Sequence, residues 1–266
     1  MTEELANTKV VFEKKKRVGV ITLSNGDMNV FDAEQVLQLR DLIITLYKED
    51  KVRVIVIQGS GPRAFSAGFD LKNFDVDLFI RDGQDMIYQL YNLPKPTIAL
   101  VHGFSIGIGF LVALACDFRY AADDAQFSLP EINYEAMFPT HGGCTILPKV
   151  VRKISDAKLI LYTGDRIPAK KAAEMGIVDE LFKTKDEMIS AGMEFANYLA
   201  SKNPMVMQLT KVALKTTASA DLKTGMAMEM ETIPIINRPP GMKKEEQSQK
   251  IQDYIEKYSI KRPLNI

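Results

Sequence analysis

Two continuous apolar runs constrain this chain more than any other feature: Val54-Ile55-Val56-Ile57, ending at Gly59, and Thr97-Ile98-Ala99-Leu100-Val101, introduced by Pro94 and Pro96 and ended by Gly103. Each has the length of a strand and no polar alternation, which suits strands covered on both faces. Helical segments alternate with them. Asp32-Ala-Glu-Gln35 forms a capping-box pattern ahead of Val36, Leu39, Ile43 and Leu46, whose spacing puts them on one helical face. An α/β arrangement with crossover helices over a sheet follows. Residues 10–12 and 18–23 flank the charged tip at 14–17 and read as an opening hairpin.

From about Ser155 the pattern becomes helical, over residues 155–162, 168–175, 185–200, 204–217 and from 221 to the Pro239-Pro240 break, with a charged helix after it. The expected division is a core over residues 1–200 and a helical C-terminal region over 201–266. A chain of 266 residues can bury a sizeable core. Lys plus Arg equals Asp plus Glu at 34 each, so no net charge attracts it to nucleic acid or anionic lipid. The longest apolar stretch, residues 103–116, is shorter than the roughly 20 residues of a membrane span. The acidic start Met-Thr-Glu-Glu-Leu-Ala-Asn lacks the apolar core of a signal peptide, and Leu264-Asn265-Ile266 is not a peroxisomal address. Cys116 and Cys144 have no metal-ligand or redox-pair spacing. The expectation is a cytoplasmic protein with no metal site and neither nucleic acid nor membrane as partner.

Two glycine-containing turns each follow a buried strand: Gly59-Ser-Gly-Pro-Arg-Ala-Phe-Ser-Ala-Gly-Phe-Asp70 and His102-Gly-Phe-Ser-Ile-Gly-Ile-Gly109. Ligands of α/β sheets bind in this region, outside the carboxyl ends of the strands. The second turn runs into a helical stretch, so N–H groups near Ile108 lie at a helix N-terminus, where negative charge is favoured.

These turns, with Phe65-Ser-Ala-Gly-Phe-Asp-Leu71, Lys95-Pro-Thr-Ile-Ala99, Ala115-Cys-Asp117, Ala125-Gln-Phe127, Pro130-Glu-Ile132 and Leu161-Tyr-Thr-Gly-Asp-Arg-Ile167 in order, resemble the crotonase, or enoyl-CoA hydratase/isomerase, superfamily. The resemblance covers nearly the whole chain. It implies a crotonase-like spiral of ββα turns with a helical C-terminal region used in trimerisation, as a homotrimer or dimer of trimers. It also implies an acyl-CoA thioester substrate whose enolate is stabilised, with coenzyme A belonging to the substrate and no separate cofactor. By position, the two oxyanion-hole N–H groups fall on Ala67 and Ile108, and Gly68, Phe69 and Asp70 share in holding the substrate. Ile108 replaces a usual glycine, so its side chain must point away from the thioester.

Hydration in this family uses two glutamates. The later one is present here as Glu131, but the earlier position is Leu111. A single base that returns its proton suffices to move a proton from C2 to C4. Leu111-Val-Ala-Leu114 with a lone Glu131 resembles the branch converting 3-enoyl-CoA to trans-2-enoyl-CoA, so isomerisation is the expected reaction. Hydration, or hydrolase or lyase chemistry on a functionalised or cyclic acyl group, is the alternative, and a non-catalytic binding protein is a further one. Phe138-Pro-Thr-His-Gly-Gly143 departs from the hydratase pattern and puts Thr140 and His141 beside the acyl site. His141 is a second acid/base in one reading and structural in the preferred one. Asp70 and Asp117 are expected to fix turns, and both cysteines to be small buried hydrophobes unless Gly142-Gly143 exposes Cys144.

Overall fold

The computed structural model describes residues 8–73, 78–135, 137–237 and 241–258. The acidic start, the Pro239-Pro240 break and the C-terminal tripeptide lie outside the described residues. Strands β1 (Val10–Lys15) and β2 (Val18–Leu23) form the antiparallel hairpin, and helix α1 (Ala33–Lys48) follows. Then come β3 (Val54–Gly59), β4 (Ala64–Ser66), α2 (Gln84–Asn92), β5 (Thr97–Val101), β6 (Phe104–Ile106), α3 (Ile108–Ala115), β7 (Phe118–Ala122) and β8 (Gln126–Ser128). The remainder is α4 (Leu147–Val150), α5 (Ile154–Thr163), β9 (Ile167–Pro168), α6 (Ala169–Met175), β10 (Glu180–Phe182), α7 (Lys185–Ala200), α8 (Pro204–Thr217), α9 (Leu222–Met230), α10 (Ile233–Ile236) and α11 (Lys244–Tyr258).

Two sheets result. The larger has the order β1-β2-β3-β5-β7-β10, parallel from β2 onward, and the smaller has the order β4-β6-β8-β9. Each circuit of the chain lays one strand in the large sheet and the next in the small one: β3 then β4, β5 then β6, β7 then β8. This is a spiral. Both faces of the large sheet are covered, as its continuous apolar strands require. Ile55, Ile57, Ala99 and Val101 point into the main core with Phe65, Phe110 and Phe127, while Val54, Val56, Ile98 and Leu100 pack against Met188, Ala196 and Ala200 of α7. The helical reading from Ser155 onward missed β10, which joins the large sheet beside β7.

Asp117 fixes the start of β5, as expected of a turn residue. Its Oδ2 accepts from the Thr97 N–H at 2.8 Å and from the Lys211 ammonium at 2.5 Å, and Lys211 also donates to the Lys95 carbonyl at 2.7 Å. Lys211, on α8, thereby ties the C-terminal helices to the sheet. Its side chain is only 8% exposed, so removing Asp117 strands a buried cation. Asp117→Ala is expected to cost about 3 kcal/mol in urea unfolding, and Lys211→Met distinctly less, because an apolar side chain there leaves no buried cation behind.

Candidate active site

The carboxyl ends of β4 and β6 lead into two turns that stand side by side. Gly109, in the first turn of α3, makes this possible: a Cβ there would lie 2.6 Å from the Ser66 carbonyl oxygen. Gly68, at φ +98°, faces the Ile106 carbonyl less tightly, at 3.1 Å from where its Cβ would stand. Between the turns opens a narrow cleft lined by Ala67, Gly68, Phe69, Gly107, Ile108 and Glu131, and flanked by the side chains of Leu71, Phe79, Tyr134 and Met137.

Peptide direction decides which N–H groups face the cleft. The Ala67 N–H donates to the Met28 carbonyl at 2.9 Å, so the expected donor at Ala67 is corrected: that hydrogen is committed to the protein. Phe31 bridges the next residues, its N–H donating to the Gly68 carbonyl and its carbonyl accepting from the Asp70 N–H, both at 2.8 Å. In a trans peptide the carbonyl of Gly68 and the N–H of Phe69 point opposite ways. The Phe69 N–H is therefore directed away from Phe31, on the cleft side. In the second turn the Gly107 N–H is taken by the Ser128 carbonyl, and the Gly107 carbonyl accepts from the Leu111 N–H inside α3. By the same rule the Ile108 N–H projects out of the helix N-terminus, where the dipole adds positive potential. The Ile108 side chain is 1% exposed and packed in the main core, as a backbone donor at this position requires.

Glu131 sits in the 3-10 turn Pro130–Asn133 directly after β8. The turn is held by its surroundings: Ser128 Oγ donates to the Gly164 carbonyl at 2.8 Å, and Gly164, left-handed at φ +66°, lets α5 end against Pro130. The carboxylate lies beside Gly107, whose Cβ would be 3.6 Å from Oε1. Its Oε2 is buried and accepts no hydrogen bond. Burial raises the Glu131 pKa above the ordinary 4.5, and a hydrogen bond from its own backbone N–H offsets only part of that rise. A buried carboxyl left unsatisfied costs stability, and its position in a cleft makes it a candidate proton carrier.

Several expected substrate contacts are not where they were placed. Leu111 is 2% exposed, belongs to the main core and is not among the residues that line the cleft. Asp70 serves its own turn, its Oδ1 accepting from the Lys72 N–H at 3.0 Å. Thr140 and His141 stand behind the cleft. His141, left-handed at φ +52° and 3% exposed, has both ring nitrogens engaged, Nε2 with the Phe79 carbonyl at 2.6 Å and Nδ1 with Thr140 Oγ1 at 2.5 Å. A carbonyl can only accept, so Nε2 carries the proton and Thr140 donates to Nδ1. Desolvation lowers the His141 pKa, keeping the ring neutral. The structural reading of His141 is the one the geometry supports. Cys116 is buried and Cys144 is exposed beyond Gly143. The cleft also recruits Leu71, at the end of the first motif, and Phe79, Tyr134 and Met137, which no sequence motif singled out. No described helix is long and apolar enough to cross a membrane.

Comparison with known proteins gives this site its context. The family model described as enoyl-CoA hydratase/isomerase matches residues 13–261. The chain is 29% identical to crotonyl-CoA hydratase of Syntrophomonas wolfei, over 85% of this chain and 89% of that protein. It is 33% identical to carnitinyl-CoA dehydratase of Escherichia coli K12, over 74% of this chain and 77% of that one. A crystal structure of enoyl-CoA hydratase from Bacillus anthracis superposes with a TM-score of 0.79 at 29% identity, covering 84% of this chain and 89% of that one. The chain belongs to the enoyl-CoA hydratase/isomerase, or crotonase, family.

Two outcomes test this geometry. Gly109→Ala must push β4 and α3 apart, and is expected to lower kcat at least tenfold in a protein whose circular dichroism is unchanged. Glu131→Gln removes a carboxyl whose folded pKa is raised, so the wild type is penalised only where that group ionises. The variant is expected to be more stable in urea at neutral pH, and the gain to shrink as pH falls through the folded pKa and vanish below about 4.5, where the unfolded carboxyl is protonated as well.

Proposed function

We propose that this protein, on the strength of the family just stated, is an acyl-CoA enzyme that isomerises 3-enoyl-CoA to trans-2-enoyl-CoA with Glu131 as the sole proton carrier. The observation that carries this reading is that Glu131 is the single carboxyl among the described residues lining the cleft, with Oε2 unpartnered and the earlier glutamate position filled by the buried Leu111. The thioester oxygen is held between the N–H groups of Phe69 and Ile108. Each such donor, aimed at charge that develops in the transition state, is worth about 3 kcal/mol. Glu131 removes a proton from C2, and the negative charge spreads over a dienolate whose oxygen rests on the two donors. The carboxyl then delivers the proton to C4, and the double bond comes into conjugation with the carbonyl. A raised pKa suits both halves of this cycle, because it makes the carboxylate a stronger base and brings its two protonation states closer in energy.

Hydration is the second reading. The relatives are named for hydratase and dehydratase activities, and the unpartnered Oε2 offers a water one strong acceptor. Among the described residues lining the cleft it has no partner carboxylate to polarise that water. For assembly, exposed Leu214, Leu222, Met226 and Met230 on α8 and α9 support a contact between copies, as a homotrimer or dimer of trimers.

The discriminating experiment follows conjugated-thioester absorbance with a 3-enoyl-CoA and, separately, with trans-2-butenoyl-CoA. Isomerisation predicts a rise with the first and no change with the second, and a loss of at least about a hundredfold in Glu131→Gln, the low end for removing a general acid-base. Absorbance falling with the second substrate at a comparable rate would replace isomerisation by hydration. The limb of kcat/KM that requires ionised Glu131 is expected to rise with pH through a midpoint above 4.5.

A further inference from the structure

A second, solvent-open groove lies next to the cleft between α2 and the segment after His141, with Ile87, Tyr88, Tyr91 and Ile146 in its lining beside Gln84 and Lys149. One aromatic layer separates the two spaces. Phe69 and Phe79 line the cleft, with ring centroids 4.7 Å apart. His141 lines the groove, and its ring stands 4.5 Å from that of Phe79 and 5.9 Å from that of Phe69. Gly83 lets the layer close, since a Cβ there would come within 3.1 Å of His141 Nε2 and 3.2 Å of Phe69 Cζ.

The layer is pinned from behind. His141 Nε2 donates to the Phe79 carbonyl at 2.6 Å, Thr140 donates to Nδ1, and the His141 N–H donates to Gln84 Oε1 at 2.9 Å. With both ring nitrogens and the backbone N–H engaged, His141 cannot turn without leaving buried polar atoms unpaired. It therefore fixes Phe79, and Phe79 blocks the route from the cleft to the groove.

We propose that Phe79, with His141 as its positioning residue, is the stop that restricts the acyl group to short unbranched chains, and that the groove behind it is a latent extension of the acyl site. This rests on the acyl-CoA reading but not on which reaction follows. Beyond the stop, added methylenes meet a wall. With the stop removed they reach the apolar part of the groove, Ile87, Tyr88, Tyr91 and Ile146, where each methylene buried is worth about fourfold in affinity.

The test uses saturated butanoyl-, octanoyl- and dodecanoyl-CoA, which bind without reacting, titrated calorimetrically into the full chain. Wild type is expected to bind butanoyl-CoA at least as tightly as the longer thioesters. Phe79→Ala should reverse the order, with octanoyl-CoA gaining at least tenfold relative to butanoyl-CoA. His141→Leu, which frees the Phe79 carbonyl, should shift the order the same way by a smaller factor. Phe79→Leu gives the same reading if the alanine variant does not fold. Progressively tighter binding of longer chains by wild type, or an unchanged order in the folded Phe79 variants, overturns the proposal. Failure of the wild type to bind any of the three overturns the acyl-CoA reading itself, a result distinguishable from either.

Discussion

Two backbones lying closer than any side chain permits are the condition on which the site rests. Gly103, at φ +53°, has no room for a Cβ, which would fall 2.0 Å from the Arg63 carbonyl oxygen, and Gly109 meets Ser66 in the same way. These contacts stack one circuit of the spiral directly on the next, with no side chains between them. The two turns then lie side by side, and the Phe69 and Ile108 N–H groups open on one cleft although they are far apart in the chain. A spiral with bulkier spacers at these points would keep its sheets and lose the juxtaposition.

Burial of Lys95 and Lys211 in the frame and of Glu131 in the cleft is handled in opposite ways. Lys95, with its pKa lowered to about 8 by desolvation, donates to the Leu46 and Glu49 carbonyls at 2.6 Å, and Lys211 is matched to Asp117. These buried cations are satisfied, and they clamp α1, β5 and α8 together. Glu131 is given no such partner, and its raised pKa is the consequence. Groups that are satisfied build a frame; one left unsatisfied retains free energy that chemistry can draw on.

Much of the fold was legible because local signals agreed. Helices α7 and α8 begin where Thr184 and Asn203 accept from N–H groups of their first turns, and both match the residues anticipated. The capping box at α1 was half right: Asp32 accepts from the Gln35 N–H, but Gln35 Nε2 donates to the Lys9 carbonyl, a tertiary contact that no local pattern encodes. Strand β10 escaped because three residues between two helices carry no periodicity. In the site, the two glycine turns and Glu131 were legible as motifs. The donor at Ala67 was misplaced because the direction of each peptide is set by Met28 and Phe31, which come from a preceding segment.

By itself the sequence determined the buried strands, through apolar runs with no polar face, the helix limits, through caps, and the candidate carboxyl, Glu131, with Leu111 at the earlier glutamate position. Only the tertiary structure decided which N–H groups face the cleft, that Leu111 turns into the core, and that Thr140 and His141 support Phe79 from behind. The reason is physical: residue type fixes what a side chain can do, whereas the orientation of a peptide or a ring is fixed by partners dozens of residues away.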